Sequence, residues 1–163
     1  MQVLIMRHGE ASFHAESDAA RNLTNRGREQ TAQMAVWLRT KVSRIDRVLV
    51  SPYIRAQQTL DVFKAEFPLP ATSDIDVLSE LTPGGDPEQT IEYLIALAEE
   101  GVDSVLIVSH LPLVGYLVAD LCPGVYPPMF STSAVACVSI DTGEGRGKLE
   151  WQQTAGQLAE IKK

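Results

Sequence analysis

Gln2-Val3-Leu4-Ile5-Met6-Arg7-His8-Gly9-Glu10 changes character at one point: an apolar run gives way to a cation, an imidazole and a glycine. A short apolar run containing Val and Ile, closed by such a switch, reads as a strand buried on both faces, the pattern of parallel sheets. Arg47 to Val50 and Ser104 to Val108 repeat that character. Between the first two, Thr31, Met34, Ala35, Leu38 and Val42 recur at three- and four-residue intervals, which predicts an amphipathic helix with Thr24 as its N-cap. Ser51-Pro52, Asp86-Pro87 and Pro112 each stand ahead of a further helical pattern (Ala56, Leu60, Phe63 and Phe67; Ile91, Leu94, Ile95 and Ala98; Leu113, Val114, Leu117 and Leu121). Ser133 to Ile140 and Lys148 to Trp151 read as two strands joined by a glycine-rich turn at Gly143 to Gly147. Strand alternating with helix predicts an α/β fold, a single domain over residues 1–163 with a mainly parallel central sheet flanked by helices.

Composition bounds the function. The chain has 163 residues, 45% of them hydrophobic and 21% charged, which suits one globular core. Met1 to Met6 is broken at once by Arg7 and His8, so no secretory leader is expected, and Leu111 to Leu121 is too short to span a bilayer. Cys122 and Cys137 have neither zinc-site nor redox spacing and are expected to be packing residues in a reducing, cytoplasmic setting. A formal charge of −7 argues against nucleic acid or anionic lipid as partner, because both are held by clustered Lys and Arg. An anionic ligand then requires a locally positive pocket.

Such a pocket is foreseeable. Arg7-His8-Gly9, Ser51 to Arg55 and Ser109-His110 each follow the carboxyl end of an expected buried strand, and open α/β sheets bind ligands outside those ends. Two arginines offer fork-shaped donors for phosphate oxygens, and two histidines offer nucleophilic or proton-transfer chemistry. Gly9, lacking a Cβ, would let backbone N–H groups approach the anion. Each of these residues taken singly could equally be a solvated cap or salt-bridge partner; their joint placement is the signal.

Leu4-Ile5-Met6-Arg7-His8-Gly9-Glu10 resembles the signature of the histidine phosphatase superfamily, the phosphoglycerate-mutase-like or RHG family. Leu23-Thr24 with Gly27, Ser51-Pro52 with Arg55-Ala56 and Gln58-Thr59, and Val108-Ser109-His110 resemble its further motifs, in the family's order across nearly the whole chain. Within the family, Glu80 to Gly85 and Ser109-His110-Leu111-Pro112 resemble the protein phosphohistidine phosphatases. The resemblance implies His8 as nucleophile, neutral and held in one tautomer by backbone near Gly9, with Arg7, Arg55 and His110 around the transferring phosphoryl group, and neither metal nor cofactor. Arg21 is a further candidate phosphate or partner contact, and Asp18 and Glu80 are the candidate proton donors. A phosphohistidine substrate permits no acid at all, since imidazole is a far better leaving group than an alkoxide. The short connections leave little or no room for a helical lid, so the implied partner is a histidine-phosphorylated protein, such as a histidine-phosphotransfer domain or phosphocarrier. A phosphomonoesterase or mutase acting on a small metabolite, and a non-catalytic phosphohistidine-binding module, are the alternatives. The histidines speak against the second, because binding alone would need only the arginines.

The remaining motifs read as structure. His14, near Glu10, Glu16 and Asp18, matches no metal-ligand spacing. Trp37 and Trp151 are expected in core or rim packing, and Pro127-Pro128 as a loop stiffener.

Overall fold

Parallel strands with both faces buried need helices on both sides, and that requirement organises the molecule. The computed structural model describes residues 1–141 and 146–161. In chain order the elements are β1 (Gln2–Arg7), α1 (Asn25–Leu38), β2 (Arg47–Val50), α2 (Ile54–Glu66), β3 (Asp74–Val77), α3 (Pro87–Glu99), β4 (Ser104–Ser109), α4 (Leu113–Leu121), β5 (Val135–Ile140), β6 (Gly147–Gln153) and α5 (Ala155–Ile161). They form a single α/β domain around one sheet of order β3-β2-β4-β1-β5-β6. The pairs β1/β4, β2/β4 and β2/β3 are parallel, and β5 is antiparallel to both β1 and β6.

Side chains alternate along each central strand, so each strand feeds two cores. Val3, Ile5, Leu49, Val105 and Ile107 pack with α3 and α4 on one face. Leu4, Met6, Val48, Val50, Leu106 and Val108 pack with α1, α2 and Leu158 of α5 on the other. All eleven of these strand side chains are fully buried, and each contributes on the order of 1.5–3 kcal/mol by leaving water. Trp37 and Trp151 meet edge to face at 5.2 Å at the margin of the second core. Cys122 and Cys137 are buried free thiols, as packing residues would be.

Register positions the site. Arg7 lies opposite Ser109 and Val50 opposite Val108, so the carboxyl ends of β1, β4 and β2 stand side by side at the centre of the sheet. The pairing runs one residue past the strands: the His8 N–H donates to Ser109 O at 3.0 Å and the Ser51 N–H to Val108 O at 3.1 Å.

Several local expectations need correction. Thr24 caps α1 by accepting from the Gly27 N–H, and Asp86 caps α3 by accepting from Glu88, but α1 ends at Leu38 and Val42 is buried in the turn beyond it. Ser51-Pro52 does not open α2. The helix begins at Ile54 behind Tyr53, because the Ser51 hydroxyl is turned inward to His110. Pro112 stands just before α4, and Phe67 just past α2. β3 and α5 are additions to the elements expected from the sequence. Asp74-Ile75-Asp76-Val77 alternates strand formers with two aspartates that disfavour a strand, yet as an edge strand it is held by Arg47, which pairs with Asp76 at 2.8 Å and Asp74 at 3.7 Å. The expected turn at Gly143 to Gly147 falls largely outside the described residues; Gly147 opens β6, and the Asp141 N–H donates to Arg146 O at 3.0 Å. No helix among the described residues is long and apolar enough to cross a membrane.

Candidate active site

The three strand ends open into one cavity of about 410 Å³, lined by Arg7, His8, Glu10, Ala11, Phe13, Asp18, Arg21, Arg55, Pro83, His110, Leu111 and Thr132. A larger recess, about 680 Å³, lies at the amino ends of the same strands and is lined by Gln2, Arg47, Asp103 and Ser104 among others, with no imidazole. Chemistry rather than volume identifies the site.

His8 is buried, and its backbone is gripped from two sides, by Ser109 O on its N–H and by the Ser133 N–H on its carbonyl at 3.1 Å. Ser133 reaches that carbonyl from the left-handed region, φ 64°, an uncommon conformation for a residue with a Cβ. The ring Nδ1 lies 2.7 Å from Gly9 O. A carbonyl only accepts, so Nδ1 carries the hydrogen and Nε2 keeps its lone pair. That lone pair accepts from the Arg55 Nε–H at 3.2 Å. Burial first, then the charges of Arg55, Arg7 and Arg21, push the His8 pKa down to about 4, against the opposing pull of Gly9 O. The ring is therefore neutral at pH 7.

Arg55, in the first turn of α2, is buried; Nη1 donates to Asp18 O at 2.5 Å and Nη2 to the Asp18 carboxylate at 3.2 Å. Its guanidinium stands 5.1 Å above the Tyr53 ring, whose edge meets His110 at 5.1 Å. Arg7 donates through Nη1 to Phe130 O at 2.8 Å, while its buried Nε has no partner among the described residues. Burial, with Arg55 and Arg21 nearby, holds Arg7 below the usual guanidinium range. Arg21 donates to Ser12 O and Ala11 O, pairs with Asp18 at 3.2 Å and stacks over Phe13 at 4.3 Å. His110 lies with its ring 5.0 Å from that of His8, and its Nε2 is 2.7 Å from Ser51 Oγ. Burial first, then the neighbouring His8 and Arg55, push its pKa down to about 3. Three guanidinium groups around two neutral imidazoles make a positive pocket in an acidic chain.

Six of the eight expected residues thus converge: Arg7, His8, Asp18, Arg21, Arg55 and His110. Gly9 requires a correction. Its N–H is not offered to the cavity but donates to Thr59 Oγ1 at 2.9 Å, and a Cβ there would lie 2.9 Å from both Gly27 O and Thr31 Oγ1. Gly9 is glycine because α1 packs against it. Asp18 joins the cavity as a clamp on two arginines: desolvation opposes ionisation, but hydrogen bonds from Arg21 and Arg55 hold the carboxyl below its usual range, contrary to a group poised to donate a proton. Glu80 does not line the cavity; Pro83 represents its loop, which is tied down by the Ser109 hydroxyl on Leu81 O at 2.7 Å. Glu10 does line it, its carboxylate accepting from Thr24 Oγ1 at 2.9 Å. His14 is exposed and outside the lining, and no group of three His, Cys, Asp or Glu among the described residues is placed to hold a metal ion. The contacts made by Ser51, Tyr53, Thr59 and Phe13 were not anticipated. For Ser51 and Thr59 the signal was available, since both belong to the segment that carries Arg55.

Residues 3–95 match the model of the histidine phosphatase superfamily, branch 1. The chain is 52% identical over 158 residues to the phosphohistidine phosphatase SixA of Escherichia coli strain K12, covering 97% of this chain and 96% of that protein. It is 43% identical over 141 residues to the SixA homolog of Haemophilus influenzae, covering 83% and 86% of the two chains. A solved structure of the protein histidine phosphatase SixA complexed with tungstate matches with a TM-score of 0.92 at 51% identity, over 97% of this chain and 99% of that one. The alpha-ribazole phosphatase of Shigella flexneri, at 20% identity and a TM-score of 0.71, covering 95% and 97% of the two chains, shares the fold.

Proposed function

Given that the chain belongs to the histidine phosphatase superfamily, we propose that it is a protein phosphohistidine phosphatase working through a phosphoenzyme on His8. The observation that carries this reading is the His8 ring itself: Nδ1–H fixed on Gly9 O, and the Nε2 lone pair turned among Arg7, Arg55 and His110. His8 Nε2 attacks phosphorus, and the N–P bond of the substrate ring, protonated on its other nitrogen, breaks so that the electron pair leaves with a neutral imidazole. Water then attacks the phospho-His8 phosphorus, its proton stays with the inorganic phosphate that departs, and the N–P electron pair returns to Nε2 of His8. Arg7, Arg55 and His110 stabilise the charge on the equatorial oxygens. Arg55 exchanges its bond to Nε2 for one to a phosphoryl oxygen as substrate arrives.

The choice of an N–P substrate is supported by the state of Asp18, whose carboxyl is held ionised. A sugar-phosphate ester needs its alkoxide protonated as it leaves, whereas a phosphorylated imidazole that carries a proton on its other nitrogen departs neutral without an enzymic acid. Access fits as well: one turn of 3-10 helix, Asp18–Ala20, is the sole helical element between β1 and α1, which leaves the cavity reachable by a side chain borne on a folded partner. The resemblance to the SixA proteins favours a histidine-phosphorylated phosphotransfer domain or phosphocarrier as that partner, acting in the cytoplasm where the buried thiols stay reduced. His110 lies beyond residues 3–95 yet lines the same cavity, which supports reading residues 1–163 as one catalytic domain.

The test is a side-by-side assay of a histidine-phosphorylated phosphotransfer domain and a panel of sugar phosphates, with His8→Ala as control. Rapid mixing should trap label that is stable in base, labile in acid and absent from His8→Ala. Faster turnover of the sugar phosphates would move the protein among the phosphomonoesterases. A base-labile adduct would move the nucleophile to a carboxylate, and binding without turnover would make the protein a recognition module.

A further inference from the structure

Ser51 and His110 are 59 positions apart in sequence, and their side chains meet at 2.7 Å between Oγ and Nε2. Ser51 is fully buried, so the hydrogen of its hydroxyl must find an acceptor inside the protein. Among the described residues Oγ has two partners, the Tyr53 N–H at 3.2 Å and His110 Nε2. A backbone N–H only donates, which leaves Nε2 as the acceptor within reach. Were the hydrogen on Nε2 instead, Oγ would accept twice and its own hydrogen would be buried unpaired. The hydrogen of the neutral His110 ring therefore sits on Nδ1, and that buried nitrogen has no partner among the described residues. The ring lines the cavity beside His8.

We propose that Ser51 is a positioning residue: its hydroxyl holds His110 in the Nδ1–H tautomer, and this N–H is the donor that His110 presents to the transferring phosphoryl group. The two imidazoles are then set to opposite duties by their outer partners. Gly9 O pins His8 so that a lone pair faces the phosphorus, and the Ser51 hydroxyl pins His110 so that a hydrogen faces an oxygen. The second half of the proposal rests on the phosphoryl-transfer reading of the site; the tautomer does not.

The chain has three histidines, so a long-range proton–nitrogen correlation spectrum of histidine-labelled resting protein near neutral pH resolves each ring, with His110→Asn for assignment. His110 is expected with hydrogen on Nδ1, and addition of inorganic phosphate is expected to shift that nitrogen. Ser51→Ala should convert His110 to a mixture or to the Nε2–H form while His8 stays Nδ1–H, and should lower kcat on the order of tenfold or more, up to the 10²–10³ seen when a donor is lost outright. Ser51→Thr, which keeps the hydroxyl, should restore both the tautomer and the rate. An Nε2–H form of His110 in the unmodified protein, or an unchanged tautomer in Ser51→Ala, overturns the assignment; a phosphate-insensitive Nδ1 overturns the donor role. If Ser51→Ala fails to fold, the unmodified protein and Ser51→Thr still decide. A correct tautomer in a protein inactive on phosphohistidine would leave Ser51 assigned and defeat the functional reading alone.

Discussion

Arg55 Nε lies 3.2 Å from His8 Nε2, so in the resting protein a guanidinium N–H rests on the lone pair that the proposed chemistry uses. The contact joins residues 47 positions apart, and it sets the proposed nucleophile and the proposed phosphate ligand within one hydrogen bond of each other. The same guanidinium reaches Asp18 through both terminal nitrogens.

Removing this group separates catalysis from folding. Arg55→Ala is expected to lower kcat about 10²–10³-fold. The strands and both cores remain, so circular dichroism should retain its native form. Arg55→Lys should recover little, because a single ammonium cannot reach His8 and Asp18 at once. Steady-state kinetics beside thermal melts check both statements.

Asp18 is expected to behave as a clamp rather than an acid. Asp18→Asn keeps an acceptor oxygen for the arginines, so kcat on a phosphohistidine protein should fall by less than about tenfold, short of the 10²–10⁴ that loss of a general acid removes. A larger fall, together with loss of the acid limb of the pH–rate profile, would restore Asp18 to the proton-donor role.

Both imidazoles should titrate far into acid. Burial, reinforced by nearby positive charge, lowers His8 to about 4 and His110 to about 3 from an ordinary 6.5. Between about pH 6.5 and those values the unfolded chain binds protons that the folded chain refuses, so the two rings leave stability unchanged above that window and lower it as pH falls through it. Histidine Cε1–H shifts followed by NMR should give midpoints near these values, and urea unfolding should weaken from pH 7 toward pH 5. A midpoint near 6.5 for either ring would contradict the described burial.

Gly9→Ala tests the packing under the nucleophile. The new methyl would meet Gly27 O and Thr31 Oγ1 at 2.9 Å, so α1 must shift from the end of β1. A loss of about 1–3 kcal/mol is expected in urea denaturation. Because Gly9 O also pins the His8 ring, kcat should fall with it.

The central strands, four of the five helices and six residues of the site, Arg7, His8, Asp18, Arg21, Arg55 and His110, are legible in the chain itself. Val3 to Met6, Val48 to Val50 and Val105 to Val108 are apolar because both sheet faces are covered, and the residues after them, His8, Ser51 and His110, mark where each strand emerges. That information is local: periodicity, strand length and a change of polarity at a strand end. The edge strand β3 is not legible because its aspartates oppose strand propensity and are offset by partners distant in sequence, Arg47 of β2 and the Tyr93 hydroxyl of α3.

What tertiary structure alone decided is which atom meets which. That Nε2 of His8 faces Arg55 while Nε2 of His110 faces Ser51, that the Gly9 N–H goes to Thr59, that Asp18 folds over two arginines and that Glu80 stays outside the cavity all depend on β2, β4 and β1 lying side by side. Hydrogen bonds act over about 3 Å and with direction. A sequence pattern states which residues are buried near a strand end, but only the packed chain brings donors and acceptors dozens of positions apart within that reach.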